Sequence, residues 1–285
     1  MQLTRNDATI LVPDATPVET ACMRVTHLGI GAHQDDLEIM AYHGIEACYL
    51  SPGSWFGGVT CTDGRGSARI GPYAGFSDDD MREIRIREQN KAATLGDYGV
   101  MIQLGHPSKD VKTPGYRALA DDLVTILKAT RPEVVYTHNP ADKHETHIGV
   151  FVSVVQAIRR LPAAERPRRL LGCEVWRGLD WMPDEDKVAL DVSGHPNLFH
   201  ALVGVFDSQI AGGKRYDLAT LGRARANATY DQSHHVDRLE LAWLAMDLSP
   251  LATDETLDPV AFVDAYLAKF AGQVRSVLSN RWGKA

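Results

Sequence analysis

Residues 25–38 read Val-Thr-His-Leu-Gly-Ile-Gly-Ala-His-Gln-Asp-Asp-Leu-Glu, an apolar run followed at once by His33, Asp35 and Asp36. Val25–Ile30 has the make-up of a buried strand. A strand that ends in one imidazole and two adjacent carboxylates delivers three metal-competent groups to the mouth of a sheet. In open α/β sheets that mouth is where ligands bind. Imidazole plus carboxylate suits Zn²⁺, and a further carboxylate is left over to act on water. Neighbouring residues leaving a strand point to opposite sides, so Asp35 and Asp36 can do different jobs. His33 and Asp36 could bind a metal together while Asp35 faces a water. The simpler reading is that one Asp merely caps the next helix.

The rest of the chain extends this pattern. Gly57–Cys61, Val100–Leu104 and Glu133–Thr137 read as strands, and Asp36–Leu50, Asp79–Leu95, Tyr116–Thr130 and His147–Leu161 as helices. Asp78 or Asp79 is the expected N-cap of the second helix. Strand followed by helix, four times over, indicates an α/β fold with a parallel sheet and covering helices. Further on, Leu170–Trp176 and Val188–Val192 are candidate strands, and Leu198–Ile210 and Pro259–Val277 candidate helices. The last carries a stripe of Phe262, Ala265, Tyr266, Phe270 and Val274. No Pro/Gly/Ser-rich linker breaks the chain, so residues 1–285 are expected to form one domain, with a core near 22–210 and a helical segment over 211–285.

Composition excludes several classes of function. With 285 residues, 24% charged, 44% hydrophobic and a net charge of −7, the chain is an ordinary globular one. That net charge argues against nucleic acid or an anionic membrane as the main partner, since both require a basic face. The N-terminus has no basic region followed by a long apolar one, and no run of 18 apolar residues occurs, so a cytoplasmic protein without a membrane span is expected. Cys22, Cys48, Cys61 and Cys173 are scattered, which gives neither a thiolate zinc site nor a disulfide framework.

A second motif follows the strand Glu133–Thr137: His138-Asn139-Pro140-Ala141-Asp142-Lys143-His144-Glu145-Thr146-His147. Again a strand ends in metal-capable residues before a helix begins. His144 and His147 are three apart and share a side if the helix starts near them. The spacing is not His-Glu-x-x-His, which excludes the zincin arrangement. Two such loops at one sheet edge make capping a poor account of both.

The ordered pair resembles the PIG-L/LmbE-like zinc-dependent N-deacetylases, whose signatures are Ala-His-Pro-Asp-Asp-x-Glu and, later, His-x-Asp-His. The resemblance spans roughly residues 25–160. Val59–Gly66, Arg85–Gly96 and Ser208-Gln209 resemble further segments of that family. Gln34 stands in place of the usual Pro, a spacer. Thr146 stands in place of the usual Asp, which orients a neighbouring His; Asp142 or Glu145 are the substitutes at hand.

The resemblance implies a Rossmann-like three-layer sandwich with an irregular C-terminal part packed on it, and removal of an acetyl or other acyl group from an amino sugar or related small molecule. It implies Zn²⁺, or another divalent metal, held by His33, Asp36 and His147. Asp35 would be the general base and protonated His144 the oxyanion stabiliser, with Glu38 and Asp142 in support. Arg65, Arg85 and Arg87 are candidates to hold the substrate, against the commoner reading of each as a surface ion pair. Asp63 and Glu38 have a capping reading as well. Tyr42 and His43 read as structural, and His195, His200, His234 and His235 as non-functional. Trp176 and Trp181 could stack a sugar, though packing is the commoner role of Trp. A small N-acylated, sugar-like substrate is the expected partner, and a homo-oligomer is allowed.

Three other readings compete. A silent metal- or sugar-binding protein is favoured by Thr146. A Mg²⁺ phosphotransfer enzyme fits Asp35 and Asp36 but not His33 and His147. A dehydrogenase lacks its Gly-x-Gly-x-x-Gly.

Overall fold

A computed structural model describes residues 1–230 and 236–283. His234 and His235 lie outside the described residues. One open sheet holds eight strands: β1 (Thr9–Leu11), β2 (His27–Gly31), β3 (Phe56–Thr62), β4 (Val100–His106), β5 (Val134–His138), β6 (Arg169–Cys173), β7 (Lys187–Asp191) and β8 (Ala242–Asp247). Their order is β1-β4-β3-β2-β5-β6-β8-β7. The run from β4 to β6 is parallel; β1 joins β4, β8 joins β6 and β7 joins β8 in antiparallel fashion. From β2 the chain adds β3 and β4 on one side, then returns to add β5 and β6 on the other. The switch in direction lies between β2 and β5.

Helices cover both faces. They are α1 (Val18–Met23), α2 (Asp36–Met40), α3 (Tyr42–Cys48), α4 (Asp78–Leu95), α5 (Ser108–Val111), α6 (Arg117–Thr130), α7 (Glu145–Arg159), α8 (Pro196–Gly204), α9 (Asp207–Ile210), α10 (Tyr216–Tyr230), α11 (Ser249–Thr253) and α12 (Pro259–Trp282). Strand alternation divides the core in two. Leu28, Ile30, Val59, Ile102 and Val135 meet Leu123 and Ile126 of α6 and Val154 of α7. Phe56, Met101, Tyr136 and Leu171 face Leu37 of α2, Ile45 of α3 and Leu202 of α8. Each such buried side chain contributes about 1.5–3 kcal/mol. These are the three layers the alternation of elements implied.

Several boundaries differ from expectation, each for a local reason. The helix expected over Asp36–Leu50 is two, broken at Ala41 (φ −106°, ψ 12°). The second piece is re-aimed so that Tyr42 donates to His195 O at 2.6 Å and Gly44 lies against the Tyr136 ring, where a Cβ would sit 2.5 Å from a ring carbon. The N-cap of α4 is Ser77, not Asp78 or Asp79. Its hydroxyl accepts from Asp80 N at 3.2 Å, and Asp80 accepts in return from Ser77 N at 2.9 Å. Leu198–Ile210 is also two helices, because the chain turns at Phe206 to place Ser208 on the buried Glu88 carboxylate. In α12 only Phe262 and Tyr266 pack on the core, whereas Phe270 and Val274 are exposed. The stretch 211–285 holds α10 and α12 but is not wholly helical, since β8 lies inside it; β1 and α1 were not foreseen. Among the described residues no helix is long and apolar enough to cross a membrane.

The N-terminal segment is tied down by a buried carboxylate. Asp122 of α6 accepts from Thr4 N and Oγ1, both at 2.7 Å, and lies 2.9 Å from His106 Nε2. Burial disfavours its charge, but the bonds from His106 and Thr4 outweigh that and hold its carboxyl below the ordinary 3.8. Asp122→Asn is expected to cost about 1.5–3 kcal/mol at pH 7 in urea unfolding. A group with a depressed folded pKa stabilises above its unfolded value, so the gap to the wild type should close as pH falls below 3.8. A gap that is constant from pH 7 to pH 3 would refute this role.

Candidate active site

The two motifs meet because β2 and β5 are neighbours at the switch point, the place where open α/β sheets form a crevice. His27 pairs with Val134 and Gly29 with Tyr136, so both strands end at one level. Thr137 Oγ1 donates to Ile30 O at 3.1 Å, and Ala32 N donates to His138 Nε2 at 2.8 Å. The two loops are thus stapled together before their functional side chains begin.

Three side chains converge there. Asp36 Oδ2 lies 3.3 Å from His33 Nδ1, and Asp36 Oδ1 lies 3.6 Å from His147 Nε2. The two imidazole nitrogens are themselves 3.3 Å apart. Asp36 does not cap α2 by its side chain; Oδ2 instead accepts from His33 N at 2.7 Å, which fixes the loop. On the far side, His147 Nδ1 lies 3.0 Å from Asp142 Oδ2. Donation from Nδ1 to that carboxylate leaves the Nε2 lone pair facing His33 and Asp36. Two imidazoles and a carboxylate aimed at one point form a donor set that fits Zn²⁺. A second cluster, His138, Asp142 and His147, has donor atoms equally close but is entirely buried.

The electrostatics follow from burial and proximity. Burial disfavours charge on Asp36 and His147 alike, yet each tips the other. Asp36 is held well below the carboxylate range by His147 and His138, and His147 is raised by Asp36 and Asp142. Burial pushes His33 down to about 4 against the pull of Asp36. Burial, then the neighbouring His147, lowers both His138 and His144. Asp35 goes the other way: burial raises its carboxyl well above the usual range, with Arg85 opposing and Asp36 adding to the rise.

Asp35 is held in a strained conformation, with φ at 102° where a non-glycine residue is rare. Its N–H points to Gln89 Oε1 at 3.4 Å, and Arg85 Nη2 lies 3.4 Å from Oδ1. Arg85 also donates to Gln34 O and to Ser67 Oγ. Gly64 (φ 70°) lets the loop pass, because a Cβ there would come within 2.5 Å of Gln34 Oε1. Asp35, Asp36, His33, His144 and His147 all line one cavity of about 360 Å³.

Residues 28–158 match the family model described as PIG-L, GlcNAc-PI de-N-acetylase. That stretch of the chain is similar to the PIG-L family. Solved structures share its fold. A conserved protein from Thermus thermophilus is 20% identical, with a TM-score of 0.60 over 78% of this chain and 94% of that one. The N,N'-diacetylchitobiose deacetylase of Pyrococcus horikoshii is 16% identical, with a TM-score of 0.61 over 82% and 86%. The 4-carboxy-2-hydroxymuconate hydratase of Pseudomonas putida is 15% identical, with a TM-score of 0.60 over 79% and 96%. No curated protein matches the chain.

Within the matched stretch, His33, Asp35, Asp36, His144 and His147 come together as their spacing suggested. Of the three arginines, only Arg85 reaches the cavity, and it is buried against Asp35 and backbone. Arg65 is paired with Asp63 and Asp79, and Arg87 is exposed; neither lines the cavity. Glu38 is buried, accepts from Gln89 Nε2 and Tyr98 Oη at 2.7 Å each, and supports α2 instead of meeting solvent. Thr146 is buried, and its hydroxyl has no partner among the described residues. Asp142 supplies a carboxylate to the His147 ring, whereas from His144 it accepts only the backbone N–H, at 2.9 Å; Glu145 is exposed. Sequence reasoning did not single out His138, Lys112, Lys214 or Tyr216. The last three line the cavity, and His138 stacks on His147 at 3.8 Å. Only His138 carried a local signal, as the first His of its motif.

Proposed function

We propose that the chain is a metal-dependent amidohydrolase that removes an acetyl or other acyl group from the nitrogen of an amino sugar or related small molecule. The observation that carries this reading is the convergence of His33, Asp36 and His147 beside the Asp35 carboxylate in an open cavity. The description of the PIG-L family and the name of the Pyrococcus relative point the same way.

His33, Asp36 and His147 would hold Zn²⁺, which when bound would polarise the acyl oxygen and acidify water. Asp35 takes the proton from the attacking water. Its burial suits it to that task near neutrality, because a carboxylate with a raised pKa is a stronger base. Arg85 and Gln89 hold it in its strained conformation. The same carboxyl then passes its proton to the departing amine, so no covalent intermediate is needed. His144 acts as a neutral donor in place of the protonated one the resemblance implied. Its Nδ1 accepts from Thr146 N at 3.3 Å, leaving the proton on Nε2, and burial keeps the ring uncharged. Asp142 fixes the His147 tautomer. Asp142→Asn is therefore expected to weaken zinc binding about 10–100-fold in a chelator competition assay. Unchanged affinity would remove Asp142 from the account.

A screen of N-acetylated sugars and small amides for released acetate, with and without added Zn²⁺, tests the reading. Zinc-stimulated release from at least one amino sugar is expected. Selective sugar or metal binding with no release from any of them would leave a binding protein instead.

A further inference from the structure

The cavity wall opposite the metal-competent residues comes from the C-terminal half of the chain, through Val175, Trp176, Gln209, Lys214 and Tyr216. A second cavity of about 230 Å³ shares Val175, Trp176, Lys214 and Tyr216 with the first. The two adjoin through this shared wall, with Trp176 in both linings, and together are roomier than an acetamide alone requires.

Trp176 is a built platform. It follows Glu174, a buried carboxylate that accepts from Leu179 N at 2.7 Å and from Trp181 Nε1 at 3.3 Å, closing the 174–181 loop on itself. Arg223 of α10 donates to the carbonyls of Val175, Trp176 and Arg177 at 2.9, 3.3 and 2.7 Å. Tyr216 meets the indole edge to face at 5.8 Å. A buried carboxylate and a whole guanidinium thus hold one half-buried indole at the mouth of a cleft. Such rigidity lowers the ordering cost of a ligand that stacks there.

Apart from the buried Glu174 that holds the loop, the charge beside the indole is positive. Lys214 Nζ lies 4.5 Å and Lys143 Nζ 5.7 Å from the centroid of the Trp176 ring, and Lys112 lines the cavity beside His144. None of the three has a carboxylate within ion-pair distance among the described residues, whereas Arg215 is spent on Asp217. Among the described residues the only carboxylates lining the two cavities are Asp35 and Asp36, which are engaged by Arg85 and by the histidines. Two ammonium groups drawn to one ring repel each other, and an anion between them relieves that repulsion.

We infer that Trp176, Lys214 and Lys143 form a subsite for an anionic substituent, phosphate or carboxylate, on a sugar-like ring that stacks on Trp176. The inference rests on the amidohydrolase reading above and narrows its substrate class: the acylated amine lies at the His33–Asp36–His147 end, and the anion at the Trp176 end.

Unreactive probes separate this subsite from turnover. Calorimetry at low ionic strength should find glucose 1-phosphate binding at least about tenfold tighter than methyl glucoside, the advantage shrinking as salt is raised. Lys214→Gln should bring that ratio close to one, Lys214→Arg should restore it, and Trp176→Ala should weaken both probes. A wild-type ratio near one would overturn the subsite, as would a ratio that Lys214→Gln and Lys143→Gln together leave intact, since the phosphate would then be held elsewhere. Glucuronate in place of the phosphate tells whether a carboxylate serves as well. Acetate release from N-acetylglucosamine 1-phosphate and methyl N-acetylglucosaminide, run in parallel, keeps the two claims apart. Equal kcat/KM on both overturns the subsite and leaves the hydrolase. Lys214-dependent binding of the phosphate without acetate release does the reverse.

Discussion

Asp35→Asn is expected to lower kcat for amide hydrolysis by about 10²–10⁴-fold, with zinc content unchanged, because it removes a general base while sparing the converging donor set. The geometry predicts this separation. Asp35 and Asp36 are adjacent in sequence, but only Asp36 reaches His33 and His147, while Asp35 is turned away at φ 102° toward Arg85. An amide in place of the carboxylate keeps the shape and cannot take a proton. Initial-rate kinetics with zinc content measured on the same sample check it. A variant that keeps wild-type kcat would assign proton transfer elsewhere, and one that loses zinc would make Asp35 a ligand.

Asp36→Asn should have the opposite profile, with zinc content falling below about one tenth of the wild-type value and activity following it. Asp36 sits within 3.3–3.6 Å of three imidazoles, His33, His138 and His147. With Asp142, it raises His147 against the effect of burial, and it is the first of the raising causes. Without it, two neutral imidazoles remain, one carboxylate short of the donor set. The folded state should survive, because the cavity is open and the strands beneath it pack independently; circular dichroism checks that the loss is local. Full zinc content in Asp36→Asn would move the metal to the buried cluster of His138, Asp142 and His147.

How much of this was legible in the sequence divides along physical lines. The parallel core was legible because β2, β3, β4 and β5 are short apolar runs set between helix-period segments. The metal-competent set was legible because it follows two of those runs directly, and the switch between β2 and β5 brings strand ends together that lie about a hundred residues apart in the chain. Helix breaks at Ala41 and Phe206 were not legible, since neither position holds Gly or Pro; tertiary contacts of Tyr42, Gly44 and Ser208 impose them. The N-cap Ser77 was hidden by the three aspartates after it, all of them acceptable cap residues. Arg85 read as a substrate residue because spacing cannot tell an arginine that faces a ligand from one folded onto Asp35. Trp176, Lys214 and Tyr216 formed no motif, being about forty residues apart and joined only where α10 packs beside β8.

The central claim is that His33, Asp36 and His147 hold a zinc ion on which amide hydrolysis depends. The most direct measurement is acetate release by chelated protein titrated with Zn²⁺, using a substrate identified in the screen. The account predicts that chelation abolishes release and that activity returns in proportion to zinc, with its break at one equivalent per chain. Acetate released at an undiminished rate by fully chelated protein would contradict it.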